Sequence, residues 1–203
     1  MFIHYRTPAV IVKKIDRGEA DQLLIAYTRD FGRVEISARS IRKISSKLRS
    51  ATEFVSIIEI EFIQGKACKT LTDAVIINSL GGSKNNLQKS AVLRQICRFT
   101  ENLVREQQQD ARVWDLLRSA LLFAGSAGDR SCDAIFHYYI WHLFGISGWR
   151  PEFTARTIGS ENFALVKIFR DSDVEQSAKI RLAPRQNDLL LEFAEKYLLL
   201  VTK

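Results

Sequence analysis

The sequence predicts an α+β fold in which an N-terminal five-stranded β-barrel is followed by an all-α helical domain. Apolar and polar residues alternate over short segments of the first 80 residues, which is typical of half-buried strands. Beyond the glycine-rich segment at 81–86, apolar residues recur at helical spacing instead. The chain has 203 residues, 46% of them hydrophobic, which is enough apolar material for a core. We therefore expect two domains, residues 1–80 and residues 81–203.

Five segments of the N-terminal part have strand character and are separated by turn residues. In the third, Val34, Ile36 and Ala38 face one way while Arg33, Glu35 and Ser37 face the other. Five short strands within 80 residues favour a small barrel or sandwich. The predicted strands are Thr7–Ile15, Asp21–Thr28, Arg33–Ala38, Phe54–Ile63 and Thr70–Ile77.

A basic segment separates the third and fourth predicted strands. The stretch from Ile36 to Thr52 contains no acidic residue, and we call residues 39–52 the basic insert. If its central part forms one or two helical turns, Ile41, Ile44 and Leu48 share a stripe that anchors it to the barrel. A five-stranded barrel with a helical element between strands three and four is the layout of an OB-fold. The cations of the insert are Arg39, Arg42, Lys43, Lys47 and Arg49.

The second half of the chain contains four predicted helices. Asp110 is the expected N-cap of the second, and Pro184 lies in the first turn of the last. Residues 146–183 are predicted to be irregular, with Phe163–Phe169 forming either a strand or a helix. The predicted helices are Leu87–Val104, Ala111–Ala124, Cys132–Phe144 and Pro184–Val201.

No constellation of residues points to catalysis, a metal or a cofactor. The three cysteines lie far apart without a CxxC pair, so we expect buried thiols in a reducing cytoplasm. His137 and His142 are five residues apart, whereas helical metal ligands need a spacing of three or four. The start of the chain lacks a signal-peptide pattern, and no apolar run is long enough to cross a membrane.

The net charge of +7 favours an acidic partner. Clustered cations between strands are candidate phosphate contacts, although a solvated loop that keeps the protein soluble has the same composition. Further cations expected nearby are Lys13, Lys14, Arg29 and Arg33. Tyr27, Phe31 and Phe54 are candidates for stacking on bases, and each is equally a candidate for the core.

Several motifs resemble those of the RecO family of bacterial recombination mediators. They are Ala9–Lys14, the Gly-Glu-Ala-Asp-x-Leu-Leu motif at 18–24, the Thr-Arg-x-x-Gly motif at 28–32, Ala38-Arg39 with Lys47–Arg49, and Leu71–Ala74. Leu143–Gly145 with Trp149-x-Pro151 resembles the family more loosely. The order and spacing match through residue 80.

The resemblance implies a non-enzymatic, cytoplasmic and nucleoid-associated DNA-repair protein. Such a protein binds single- and double-stranded DNA, anneals complementary strands and helps to load recombinase onto coated strands. The implied partners are RecR and the acidic C-terminal tail of the single-stranded-DNA-binding protein. For that tail we expect an apolar groove rimmed by Arg94, Arg98, Arg105, Arg112 and Arg118. A protein–protein adaptor, or an RNA-binding OB protein, remains the alternative.

The chain departs from the family pattern in two places. Many members carry four zinc-binding cysteines after the Gly-aromatic-x-Pro step, but Glu152–Ser177 contains none. We therefore expect no metal, and packing through Phe153, Phe163, Val166 and Phe169 in its place. Glycines that are usual near the insert appear as Ser40 and Ser50, which predicts a stiffer loop.

Overall fold

A computed structural model of the chain describes residues 3–52, 55–80, 85–105, 108–149 and 154–202. Its N-terminal part is a closed barrel in which neighbouring strands follow the order β1-β2-β3-β5-β4. All neighbours are antiparallel except β3 and β5. This confirms the predicted five-stranded barrel. The strands are β1 (His4–Arg17), β2 (Asp21–Thr28), β3 (Gly32–Ala38), β4 (Ile57–Gln64) and β5 (Lys69–Asn78).

The long first strand allows the barrel to close. His4–Ala9 pairs with β4, and Ala9–Arg17 pairs with β2. The register shifts between Ile11 and Lys13, and such a bulge bends a strand so that its two halves can join different neighbours. Strand β1 is longer than the predicted Thr7–Ile15. Phe54, the expected start of β4, lies outside the described residues.

The Thr-Arg-x-x-Gly motif forms the turn between β2 and β3. The hydroxyl of Thr28 donates to the carbonyl of Gly32 (2.9 Å) and accepts from the amide of Phe31 (3.0 Å). Gly32 has φ = +62°, a left-handed conformation that glycine adopts without steric cost. The motif residues therefore fix the geometry of this hairpin.

Helices make up the rest of the described chain. The predicted helices are confirmed, and Asp110 caps α3 by accepting from the amide of Arg112 (2.9 Å). Helix α4 is buried on most of its surface and packs against α2, α3 and α6. The helices are α1 (Arg49–Thr52), α2 (Leu87–Leu103), α3 (Ala111–Ser126), α4 (Asp129–Ile146), α5 (Ala155–Ile158), α6 (Ser160–Asp171), α7 (Val174–Ser177) and α8 (Pro184–Val201).

The prediction that residues 146–183 are irregular is wrong. Most of the described part of this range is helical, and Phe163–Phe169 lies within α6. Val166 and Phe169 are buried against the helical core and Phe163 is half-buried, while Phe153 lies outside the described residues. The helices of this range, α5, α6 and α7, have 4, 12 and 4 residues. Helices this short gain their stability from tertiary packing, so their sequence pattern gives only a weak signal for helix.

The described residues form two apolar cores, one inside the barrel and one among the helices. Val10, Tyr27 and Ile57 lie on barrel strands but pack in the helical core. The hydroxyl of Tyr27 donates to the carbonyl of Asp110 (3.2 Å), and Lys13 pairs with Glu101 of α2 (3.0 Å). The outer face of the barrel is thus attached to the helices by apolar and polar contacts.

Two cysteines are buried as predicted, Cys97 and Cys132. Cys68 is exposed, contrary to prediction, because it lies in the turn between β4 and β5. Across the described ranges, no three histidine, cysteine or acidic side chains lie close enough together to hold a metal ion. None of the described helices is both long and apolar enough to cross a membrane.

Candidate nucleic-acid interface

The basic insert is a series of tight turns at one end of the barrel. Backbone hydrogen bonds join Lys43 to Ser40, Ser46 to Lys43, and Arg49 to Ser46, each from an amide to a carbonyl three residues earlier. The short helix α1 then completes the insert. The helical turns predicted over Ile41–Leu48 are therefore wrong, because the helical part begins only at Arg49.

The change from helix to turns also alters which residues anchor the insert. Ile41 is 1% exposed and belongs to the barrel core, and Leu48 packs partly buried against that core. Ile44 is 94% exposed, so its predicted anchoring role is wrong. A single stripe from Ile41 through Ile44 to Leu48 requires continuous helical geometry, which successive turns do not provide.

The turn between β1 and β2 holds the insert in place. The amide of Ser40 donates to the carboxylate of Asp21 (2.7 Å), and the amide of Arg42 donates to the carbonyl of Ala20 (3.0 Å). The Arg42 guanidinium donates to the carbonyl of Gly18 (3.2 Å). Gly18, Ala20 and Asp21 all belong to the Gly-Glu-Ala-Asp motif, so this motif positions the insert.

The five predicted cations of the insert are all exposed. Within the described ranges, Arg39, Lys43 and Lys47 make no ion pair. Arg42 pairs with Asp16 at 3.4 Å, an exposed contact that adds little stability. Beside them is a cleft of about 330 Å³, which was not apparent in the sequence; it is lined by Lys14, Gln22, Ile41, Arg42, Arg49 and Thr52.

The other three predicted cations lie away from the insert. Lys13 pairs with Glu101 at the barrel–helix contact, and Arg33 pairs with Glu35 (3.1 Å) on the outside of β3. Arg29 pairs with Asp30 (2.9 Å) beyond the end of β2 that is far from the insert. The length of the strand separates this pair from the insert by about 23 Å, because a strand rises about 3.3 Å per residue. The Arg29 guanidinium also holds the pKa of the Asp30 carboxyl below its usual range. Of these four further cations, the structure thus places only Lys14 beside the insert, in the cleft that it lines with Arg42 and Arg49.

The two predicted stacking aromatics that the structure describes, Tyr27 and Phe31, pack against the apolar cores. Tyr27 is buried, which raises the pKa of its hydroxyl to about 12. The Phe31 ring packs edge-on against Tyr5 (5.5 Å) and Phe62 (5.6 Å). Phe54 lies outside the described residues. Neither described candidate offers a free ring face beside the insert, so charge dominates this surface.

Five arginines were predicted to rim a groove for the acidic tail. Two of them line a cleft of about 670 Å³ where α2, α3, α4 and α8 meet. The Arg105 guanidinium donates to the carbonyl of Thr202 (2.7 Å), and Arg112 pairs with Asp110 (2.7 Å). The walls include Leu103, Val104, Val113, Ile146, Trp149 and Val201. Trp149 was not predicted to be part of this site.

The other three arginines predicted for the tail-binding groove lie outside this cleft. Arg98 pairs with Glu195 of α8 and lies over the ring of Phe99 (5.1 Å). Arg94 and Arg118 are exposed and form no ion pair in the part of the chain that the structure describes.

The closed five-stranded barrel, the cationic insert after β3 and the attached helices define an OB-fold protein with a helical region. Residues 1–80 match the family described as recombination protein O, N terminal. The N-terminal part of the chain is therefore similar to the RecO family, as its motifs indicated.

Curated relatives extend the similarity into the helices. The DNA repair protein RecO of Dehalococcoides mccartyi is 31% identical over 148 residues, which are 73% of this chain and 58% of that protein. The DNA repair protein RecO of Symbiobacterium thermophilum is 24% identical over 89% of this chain and 67% of its own length. That of Roseiflexus is 28% identical over 73% of this chain and 51% of the relative. The chain thus spans less than two thirds of the first of these relatives.

Proposed function

We propose that this chain is a non-enzymatic DNA-repair protein that binds single- and double-stranded DNA through the phosphate contacts of its basic insert. The observation that carries the proposal is the group of exposed cations, Arg39, Lys43 and Lys47, which form no ion pair within the described ranges. Cations without an internal partner can neutralise phosphates without first breaking a native contact. The match of residues 1–80 to the RecO family and the name of the relatives, DNA repair protein RecO, support this role.

Contacts to phosphate position a protein on DNA without reading its sequence, which suits a mediator that acts on any strand. Strand annealing follows because a cationic surface reduces the repulsion between two polyanionic strands. The bases stay accessible, since Tyr27 is buried and the Phe31 ring packs against Tyr5 at the other end of β2. Cooperation with RecR, loading of recombinase and association with the cytoplasmic nucleoid complete the proposed role.

The test is the salt dependence of binding to labelled single-stranded DNA. A variant with Arg39, Lys43 and Lys47 all changed to alanine loses three phosphate contacts. We expect the slope of log K against log salt to flatten by about 2, because each contact to a single strand contributes roughly 0.7. Fluorescence anisotropy at several salt concentrations measures this slope.

A matched control variant removes three positive charges that lie outside the insert. Arg6, Lys167 and Lys196 already have partners, in Glu61, the ring of Phe163 and Glu192. Changing all three to alanine should leave the slope close to that of the parent. If the insert variant kept the parent's slope and affinity, the basic insert would not be the DNA-binding surface.

We further propose that the cleft lined by Arg105 and Arg112 receives the acidic C-terminal tail of the single-stranded-DNA-binding protein. The cleft combines apolar walls with two cations, as an acidic peptide with apolar side chains requires. Arg94, Arg98 and Arg118 do not line it. The proposal therefore assigns the direct contacts to Arg105 and Arg112.

The same titration with a labelled tail peptide tests this assignment. Charge reversal at Arg105 and Arg112 should abolish peptide binding, whereas reversal at Arg94 and Arg118 should weaken it no more than about twofold, since exposed charges act weakly at a distance. Equal losses in both variants would show a general effect of charge. An RNA oligonucleotide and an acidic partner protein in parallel titrations would reveal the RNA-binding or adaptor alternative.

A further inference from the structure

The most exposed large apolar side chain in the described chain is at the tip of the basic insert. Ile44 is 94% exposed, more than Leu87 or Leu200. It occupies the first corner of the turn closed by the hydrogen bond from the Ser46 amide to the Lys43 carbonyl. Such corners favour polar residues, proline or glycine, so neither the turn nor the packing accounts for an isoleucine here.

The chemistry around Ile44 indicates what it meets. Lys43 and Lys47 flank it in sequence, are exposed and make no ion pair among the described residues. The tip is held at a fixed distance from the barrel, because Arg42 bonds to Ala20 and Gly18. A polyanion drawn to these cations brings its bases or sugars against the apolar side chain between them.

We propose that Ile44 contacts the face of an unpaired base when a DNA strand lies on the insert. This inference rests on the proposed DNA binding by the insert. In minor-groove complexes, apolar side chains beside cations insert between the base steps of a duplex, which costs roughly a few kcal/mol of unstacking per step. Bases of a single strand have accessible faces, whereas those of a duplex are stacked on each other. Ile44 therefore makes the insert favour single strands, a preference that phosphate contacts alone do not provide.

The experiment compares the affinity of Ile44→Ala for single-stranded and duplex DNA of equal length. We expect about a fivefold loss for the single strand, no significant change for the duplex, and an unchanged salt slope because the phosphate contacts remain. Ile44→Leu should restore the single-strand affinity. Leu87→Ala is the matched control, because it removes another highly exposed apolar side chain outside the insert.

Ile44→Trp gives a direct signal for the contact. The three native tryptophans all lie in the helical part, so a fourth at the insert adds emission that a stacked base quenches. Single-stranded DNA should quench this added emission more than duplex DNA does.

Each further outcome overturns a definite statement. Equal losses of Ile44→Ala on single strand and duplex would show that Ile44 contacts the sugar–phosphate backbone that both share, and unchanged affinities would show that it contacts no DNA. A loss confined to an acidic protein ligand would assign the tip to protein docking. A parent protein that bound no DNA would overturn the proposed function itself, which is distinguishable from these results.

Discussion

At the residue scale, His137 shows how the helical core constrains a titratable group. The ring is fully buried, and its Nε2 donates to the amide oxygen of Asn187 on α8 (2.8 Å). Its Nδ1 has no hydrogen-bond partner among the described residues. Burial disfavours the charged imidazolium and lowers the pKa of His137 to about 4. The neutral ring thus joins α4 to α8.

This pKa predicts that the protein loses stability in mild acid. The unfolded chain takes up a proton near pH 6.5, whereas the folded chain does so only near pH 4. The titration of His137 therefore leaves the free energy of unfolding unchanged above pH 6.5. As the pH falls from 6.5 to about 4, this free energy decreases by up to about 3 kcal/mol, because the unfolded chain binds the proton more tightly. Urea unfolding at several pH values should show this decline.

The control variant is His137→Leu, which cannot titrate. It should be less stable at pH 7, because Asn187 loses its partner, but it should show a flatter dependence between pH 6.5 and 4. Proton NMR of the parent's His137 ring gives a second measurement that does not depend on refolding. A ring that titrated near pH 6.5 in the folded protein would contradict the prediction.

At the scale of elements, the link between β3 and the insert depends on an unusual backbone conformation. Ser40 has φ = +54°, in the left-handed region that favours glycine. The hydrogen bond from its amide to Asp21 holds it there. The family's usual glycine near this position would adopt the same conformation without strain.

We predict that Ser40→Gly raises the free energy of unfolding by about 1 kcal/mol, because it removes the left-handed strain of roughly 1–2 kcal/mol and retains the amide donor. Ser50→Gly is the control, since Ser50 lies in α1, where glycine is about 0.5 kcal/mol less favourable than serine. The midpoint of chemical denaturation should therefore rise for Ser40→Gly and fall for Ser50→Gly. Shifts of the same sign would show that Ser40 is not strained.

The elements that could be predicted from sequence carry a strong local signal. The strands alternate clearly and are bounded by glycines such as Gly18 and Gly32, and the charge of the insert follows from its composition. Ile44 could not be placed, because its spacing from Ile41 and Leu48 suits a helix that tertiary contacts replace with turns. The partner of Lys13 could not be predicted either, because Glu101 lies 88 residues away in sequence.

At the scale of the whole molecule, the barrel and the helices share part of one core. Val10, Tyr27 and Ile57 are strand residues buried among helical side chains. Residues 1–80 and 81–203, although proposed as two domains, should therefore unfold together. Packed apolar contacts across a boundary make the stability of one part depend on the other.

The test uses Val34→Ala, a change within the barrel core, which contains no described residue of α2 to α8. All three tryptophans lie in the helical part, so their fluorescence reports its unfolding. We expect the tryptophan transition to move to lower urea by about 2 kcal/mol in unfolding free energy, which is typical of a core truncation. Val10→Ala, which touches the helical core directly, is the positive control. An unmoved transition for Val34→Ala would show two independent units.

The pairing between β3 and β5 has a consequence for how the barrel moves. Only Ile36 with Lys69 and Ser37 with Thr70 join these strands, whereas β1–β2 and β4–β5 each pair along eight positions. The barrel thus has a seam, and opening it breaks fewer hydrogen bonds than opening any other strand contact. The seam lies directly before the basic insert. A DNA strand bound across the insert would therefore lie next to the contact between β3 and β5, which is the easiest part of the barrel to open.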